Sequence, residues 1–146
     1  MAKPHDLHTA TLLKNGTVLI AGGADPSTDA RAIADAELYN PEAGTFSPVG
    51  GLHAARYGAA ALLLNNGVIL ISGGADEKGY LSSAELYDPS TKAFAVTGSL
   101  QVARIGHKAA LLKDGLVLIV GGQGDGGSLG SAELFDPAKR SFASTR

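Results

Sequence analysis

Gly122, Gly124 and Gly127 stand at the spacing G-x-G-x-x-G, directly after the apolar run from Leu116 to Val120. That spacing suits a turn whose backbone closes on a pyrophosphate, provided that a helix follows it. Here "GGQGDGGSLGSAELFDP" leads into another strand-like segment. The glycines therefore read as a strand end, Gly121 and Gly122, followed by a flexible loop from Gly124 to Gly127. The histidines are the next candidates: His5, His8, His53 and His107. A metal site needs several ligands converging on one ion, and these positions give no such cluster, so structural or solvent-exposed roles are expected and neither a metal nor another cofactor. The chain has no cysteine, which excludes disulfides, thiolate zinc sites and a cysteine nucleophile. No local motif marks a serine nucleophile. The remaining charged candidates are Glu37, Glu85 and Glu133, with Arg56 and Arg104. A carboxylate demanded at regular intervals suits architecture better than catalysis. The glutamates are expected to accept hydrogen bonds from nearby backbone or from Arg56 and Arg104. The two arginines also have a second use, because a guanidinium can clamp the carboxylate of a ligand.

These side chains sit in a chain of 146 residues, 45% of them apolar, enough for a sizeable core. The formal net charge of −2 gives no basic face for nucleic acid. No apolar run approaches the roughly 20 residues of a membrane helix, and no signal-peptide pattern is evident at the first residues. A soluble protein is expected, in a compartment that the sequence does not fix. Twenty glycines among short apolar runs point to β-structure with many turns.

The positioning elements repeat. "AELYNP" begins at Ala36, "AELYDP" at Ala84 and "AELFDP" at Ala132, an interval of 48 residues each time, and Phe46, Phe94 and Phe142 follow at one offset. The glycine pairs Gly22-Gly23, Gly73-Gly74 and Gly121-Gly122 lie upstream, with three extra residues in the first unit, in the loop after Gly23. Each unit predicts four strands. Strand A carries small residues such as Ala10, Ala59 to Ala61, Ala109 and Ala110. Asn15-Gly16, Asn66-Gly67 or Asp114-Gly115 then predicts a two-residue hairpin with positive φ at both central positions. Strand B ("TVLIAGG", "VILISGG", "LVLIVGG") is apolar throughout, which means that both faces of its sheet are covered. Strand C holds the glutamate and ends at Asn40-Pro41, Asp88-Pro89 or Asp136-Pro137. Strand D centres on the phenylalanine. No helix longer than a turn is expected.

The recurring Gly-Gly, Glu, Tyr-Asp-Pro and aromatic landmarks resemble the kelch repeat, in the form common in bacterial and galactose-oxidase-like propellers. The resemblance runs over nearly the whole chain as three blades, 1–53, 54–101 and 102–146. Two departures stand out: the late tryptophan of that family is phenylalanine in every unit, and the first unit has His5 where the others have Arg56 and Arg104. The resemblance implies an all-β fold of three four-stranded antiparallel blades. It also implies a ligand face built from D–A loops, with Arg56 and Arg104, and from B–C loops, residues 24–35, 75–83 and 123–131. The copper-radical enzymes of this repeat form need a tyrosine crosslinked to cysteine, which this chain cannot supply.

Such propellers usually close with six or seven blades, and three leave two blade faces bare. The units are expected to divide at blade boundaries, with no strand left over for closure by swapping. The expectation is a non-catalytic scaffold in which two copies give six blades. The alternatives are a protein- or peptide-binding module using the loop face, and a fragment of a larger kelch-containing enzyme without its active site. Neither a nucleic acid nor a membrane is an expected partner.

Overall fold

The apolar runs of strand B become the second strand of each of three sheets, flanked on both sides by chain that is close in sequence. In this computed structural model, which describes residues 1–145, the first unit contains β1 (Thr9–Leu12), β2 (Val18–Ala21), β3 (Ala24–Asp25), β4 (Arg31–Ala32), β5 (Asp35–Asn40) and β6 (Thr45–Gly51). The second contains β7 (Ala60–Leu63), β8 (Ile69–Ser72), β9 (Ala75–Asp76), β10 (Gly79–Tyr80), β11 (Ala84–Asp88) and β12 (Ala93–Val96). The third contains β13 (Lys108–Leu111), β14 (Val117–Val120), β15 (Gln123–Gly124), β16 (Gly127–Ser128), β17 (Ala132–Asp136) and β18 (Ser141–Ser144). The strand orders are β1-β2-β5-β6, β7-β8-β11-β12 and β13-β14-β17-β18, all antiparallel. The fold is therefore all-β, with three four-stranded sheets. The helical content among the described residues is one 3-10 turn, Pro26–Thr28, in the longer loop of the first unit. Arg146, the last residue of the third unit, lies outside the described residues.

Register follows the repeat. Tyr39 opposes Phe46, Tyr87 opposes Phe94 and Phe135 opposes Phe142, with ring centroids 4.7–4.8 Å apart. Cross-strand aromatic pairs of this kind favour one register over its neighbours. The hairpins between first and second strands differ from expectation. They are three-residue loops rather than two-residue ones: Leu13 N–H bonds Thr17 C=O, Leu64 N–H bonds Val68 C=O and Leu112 N–H bonds Leu116 C=O. Only the glycine has positive φ, as at Gly16 (85°). Asn15, Asn66 and Asp114 instead turn their side-chain oxygens on the backbone N–H two residues ahead. That is an Asx turn, which needs no positive φ at the Asx residue, and a glycine in αL completes a common three-residue hairpin.

The segments expected as open loops after the glycine pairs are also more ordered than their sequences suggest. β3 pairs with β4, β9 with β10 and β15 with β16, two residues each. Gly124 and Gly127 oppose one another in the last of these. The stretch expected to be flexible is thus a small hairpin.

The sheets pack face to face through two apolar layers. Leu13, Leu19, Ala21, Val49 and Leu52 of the first unit meet Ile69, Ile71 and Tyr87 of the second. Leu64, Leu70, Leu86 and Leu100 meet Val117, Ile119 and Phe135 of the third. All of β8 is buried, because it is covered on both faces. The first strands of adjacent units lie side by side, β1 against β7 and β7 against β13, where the small side chains of Ala59 and Ala61 let the backbones approach. No helix among the described residues is long and apolar enough to cross a membrane.

Candidate functional site

The chain joins one sheet to the next through the segments that carry Arg56 and Arg104. In the first junction Arg56 is 1% exposed and every N–H of its guanidinium is used. Nε donates to Ala54 C=O at 3.2 Å, and Nη1 to Gly73 C=O at 2.7 Å and Ser83 C=O at 3.0 Å. Nη2 donates to Ser83 Oγ at 3.0 Å and Glu85 Oε1 at 3.2 Å. Arg104, fully buried, repeats this one unit later with Val102, Gly121, Ser131 and Glu133. A guanidinium has five N–H donors, so both are saturated inside the protein. The glutamates receive more than the arginine. Glu85 also accepts from His53 N–H and Ala54 N–H, and Glu133 from Gln101 N–H and Val102 N–H. Burial works against the charge of Glu85, but those amides, the His53 ring 2.9 Å away and Arg56 outweigh it and hold its carboxyl below the usual range.

The backbone of the same arginines bonds the preceding sheet. Arg56 C=O accepts from Gly23 N–H at 2.7 Å and Arg56 N–H donates to Ile33 C=O. Arg104 does the same with Gly74 N–H and Leu81 C=O. Side chain and backbone together staple each sheet to its neighbour. The glycine pair is required by how close this brings the chain. A Cβ on Gly73 (φ 62°) would stand 2.5 Å from Arg104 C=O and 2.7 Å from His107 Cε1.

Arg56 and Arg104, expected on the ligand-binding loop face, are placed at the junctions between sheets. Neither offers a free or exposed donor, because a buried guanidinium must spend its hydrogen bonds internally. Ser83 and Ser131, absent from the candidates, are partners as important as the glutamates. Their signal was present in the sequence as a serine two positions before each of Glu85 and Glu133, where the first unit has Asp35. Glu37 lies in the same register as the other two glutamates, and Gly22 and Gly23 occupy the first staple.

The histidines are dispersed. His107 is buried between the second and third sheets, its Nε2 3.0 Å from Ser72 Oγ and its Nδ1 without a partner among the described residues. Burial, with the positive charges of Arg104 and Lys108, pushes it down to about 4. His8 bonds His5 C=O, and His5 Nδ1 donates to Gly22 C=O at 2.9 Å. Among the described residues no three His, Asp or Glu side chains group as a metal site requires. Gly122, Gly124 and Gly127 lead through β15 and β16 into β17, without the helix that a dinucleotide turn needs.

The two outer sheets differ from the middle one on their uncovered sides. Leu12, which corresponds to the half-buried Leu63, is 62% exposed, and Val120, which corresponds to the buried Ser72, is 43% exposed. No protein-family model matches the chain, and no curated protein is detectably similar to it.

Proposed function

We propose that the chain is a self-assembling scaffold, three blades of a kelch-type β-propeller that close a six-blade ring as a homodimer. The observation that carries this reading is a set of three backbone hydrogen bonds that occurs twice. Between the first and second sheets they are Gly23 N–H to Arg56 C=O, Arg56 N–H to Ile33 C=O and Gly58 N–H to Leu7 C=O. Between the second and third they are Gly74 N–H to Arg104 C=O, Arg104 N–H to Leu81 C=O and Gly106 N–H to Gly58 C=O. Continuing the series calls for Gly122 N–H, Leu129 C=O and Gly106 C=O on one outer sheet. On the other it calls for His5 C=O, His5 N–H and Leu7 N–H. The two ends thus carry complementary halves of an interface whose other instances are already made. The exposed aliphatics Leu12 and Val120 lie on these same two faces, and burying such faces is the driving force expected in repeat proteins. A head-to-tail contact that closes after two copies gives a ring.

The role is non-catalytic, and no residue is assigned to chemistry. A peptide or protein ligand on the loop face is the weaker reading, since Arg56 and Arg104 have no donor left for it. Further repeats of a longer chain would meet the same end faces. Light scattering during size exclusion distinguishes the readings. The expected mass is twice the 14.7 kDa of one chain, and Leu12→Glu, at an already exposed position, is expected to give a folded monomer. A folded wild-type monomer at tens of micromolar overturns the dimer.

A further inference from the structure

The first unit keeps the acceptors of the arginine staple but has no arginine at the staple position. His5 takes the position of Arg56 and Arg104, and its ring reaches only Gly22 C=O, the counterpart of Gly73 C=O. Glu37 is 4% exposed; Ala2 N–H bonds its Oε1 at 2.9 Å, and its Oε2 is buried with no partner among the described residues. A buried carboxylate oxygen without a donor is costly, and its counterparts Glu85 and Glu133 are fully served. Asp35 stands where Ser83 and Ser131 complete the staple, so a second carboxylate replaces a hydroxyl. Asp35 C=O accepts from Gly22 N–H as Ser83 C=O does from Gly73 N–H. Glu37 and Asp35 line a hollow of about 220 Å³ bounded by Ala2, Lys3, His5 and Pro48. The corresponding hollow in the third unit, about 330 Å³, has Arg104 in its wall, already bonded to Glu133. Lys3 Nζ lies 3.5 Å from Asp35 Oδ2, with both side chains more than half exposed, so solvent reaches the site from that side.

We propose that this hollow is a guanidinium-binding site, which receives from outside the group that the other two units supply from their own sequence. Glu37 Oε2 and the Asp35 carboxylate face the guanidino nitrogens, and Asp35 C=O takes a third N–H. The planar fork of a guanidinium matches acceptors arranged for one, whereas an ammonium presents a point charge. The ligand is either a small guanidino compound or an arginine side chain of a peptide.

Binding is measured by amide chemical-shift titration of the whole chain, followed at Ala2 and Glu37. One arm uses arginine amide, another the peptide Gly-Gly-Arg-Gly-Gly, and a third lysine amide. Saturable shifts are expected with a guanidino probe and at least about tenfold weaker binding with lysine amide, the loss of one charged hydrogen bond. Preference for arginine amide over the peptide identifies a small compound, and the reverse a peptide. Two variants control the site. His5→Arg restores the internal guanidinium, and is expected to raise the melting temperature and abolish the shifts. Asp35→Ser, which recreates the residue of the other units, is expected to weaken binding at least about tenfold without unfolding. No saturable shift with either guanidino probe, equal binding of lysine amide, or unchanged binding by His5→Arg overturns the proposal.

Discussion

Lowering the pH from 7 to 5 is expected to weaken the coupling of the second and third sheets through one side chain. His107 is buried against Ser72, faces Arg104 and Lys108, and titrates at about 4 against an ordinary 6.5. A charged ring would place its Nδ1 proton where no acceptor stands. Between those two values the unfolded chain binds the proton and the folded chain does not, so stability rises with pH across the window. The contribution is fully present above about 6.5 and is lost as the pH falls toward 4. A tenfold difference in proton affinity is worth about 1.4 kcal/mol, so the whole effect is about 3 kcal/mol, with about 2 kcal/mol gone by pH 5. The depressed carboxyl of Glu85 acts in the same direction but lower, below its ordinary 4.5. The interval from pH 6.5 to 5 therefore separates the histidine from that carboxyl. The assay is urea denaturation at fixed protein concentration and ionic strength, at half-unit pH steps, on the wild type and His107→Gln. The glutamine keeps a polar group within reach of Ser72 and cannot take up a proton. A wild-type stability that is flat from pH 7 to 5, or an equal slope in His107→Gln, would refute the reasoning.

Arg104→Ala is expected to cost about 3–5 kcal/mol, because it leaves Glu133 charged and buried without its counterion; thermal or urea unfolding checks it, and Arg104→Lys should recover only part, lacking the five-donor fork. Gly73→Ala and Gly121→Ala place the same change at equivalent positions, with φ of 62° and 69°. At Gly121 the nearest atom to the new methyl is Leu129 C=O at 3.7 Å, so the loss is the backbone cost of about 1–2 kcal/mol. Gly73→Ala adds the collision with Arg104 C=O and is expected to be the more damaging of the two by denaturation. If two copies close a ring, Gly121→Ala meets the same collision there, and light scattering should show weakened dimerisation from a chain that still folds.

Much of the frame could be read from the 48-residue interval. The glycine pair, the Ala-Glu-Leu segment and the phenylalanine each mark one strand, and three copies fix their order and register together. What escaped was the detail that depends on acceptors far away in sequence. Arg56 precedes Gly73 by 17 residues and Ser83 by 27, so nothing local distinguishes an exposed anchor from a buried staple. The hairpin type escaped for a different reason. Asn-Gly suits a two-residue turn equally well, and the choice was made by the Asn15 side chain bonding ahead to Thr17. The small ladders such as β9 with β10 are two residues long, too short for alternation to show. Lys92 and Arg140 adopt the left-handed conformation (φ 55° and 53°) where the first unit has Gly44. That αL position was legible from one unit and concealed in the other two.

Each four-stranded sheet draws all its strands from one continuous stretch of chain, every long pairing being to a strand adjacent within that stretch. A block of about one repeat can therefore be duplicated or excised by recombination without orphaning a strand. Three of the bonds between blocks recur at both junctions, so a gene built this way can change its number of units in single steps, and each product would present the same pair of matching ends.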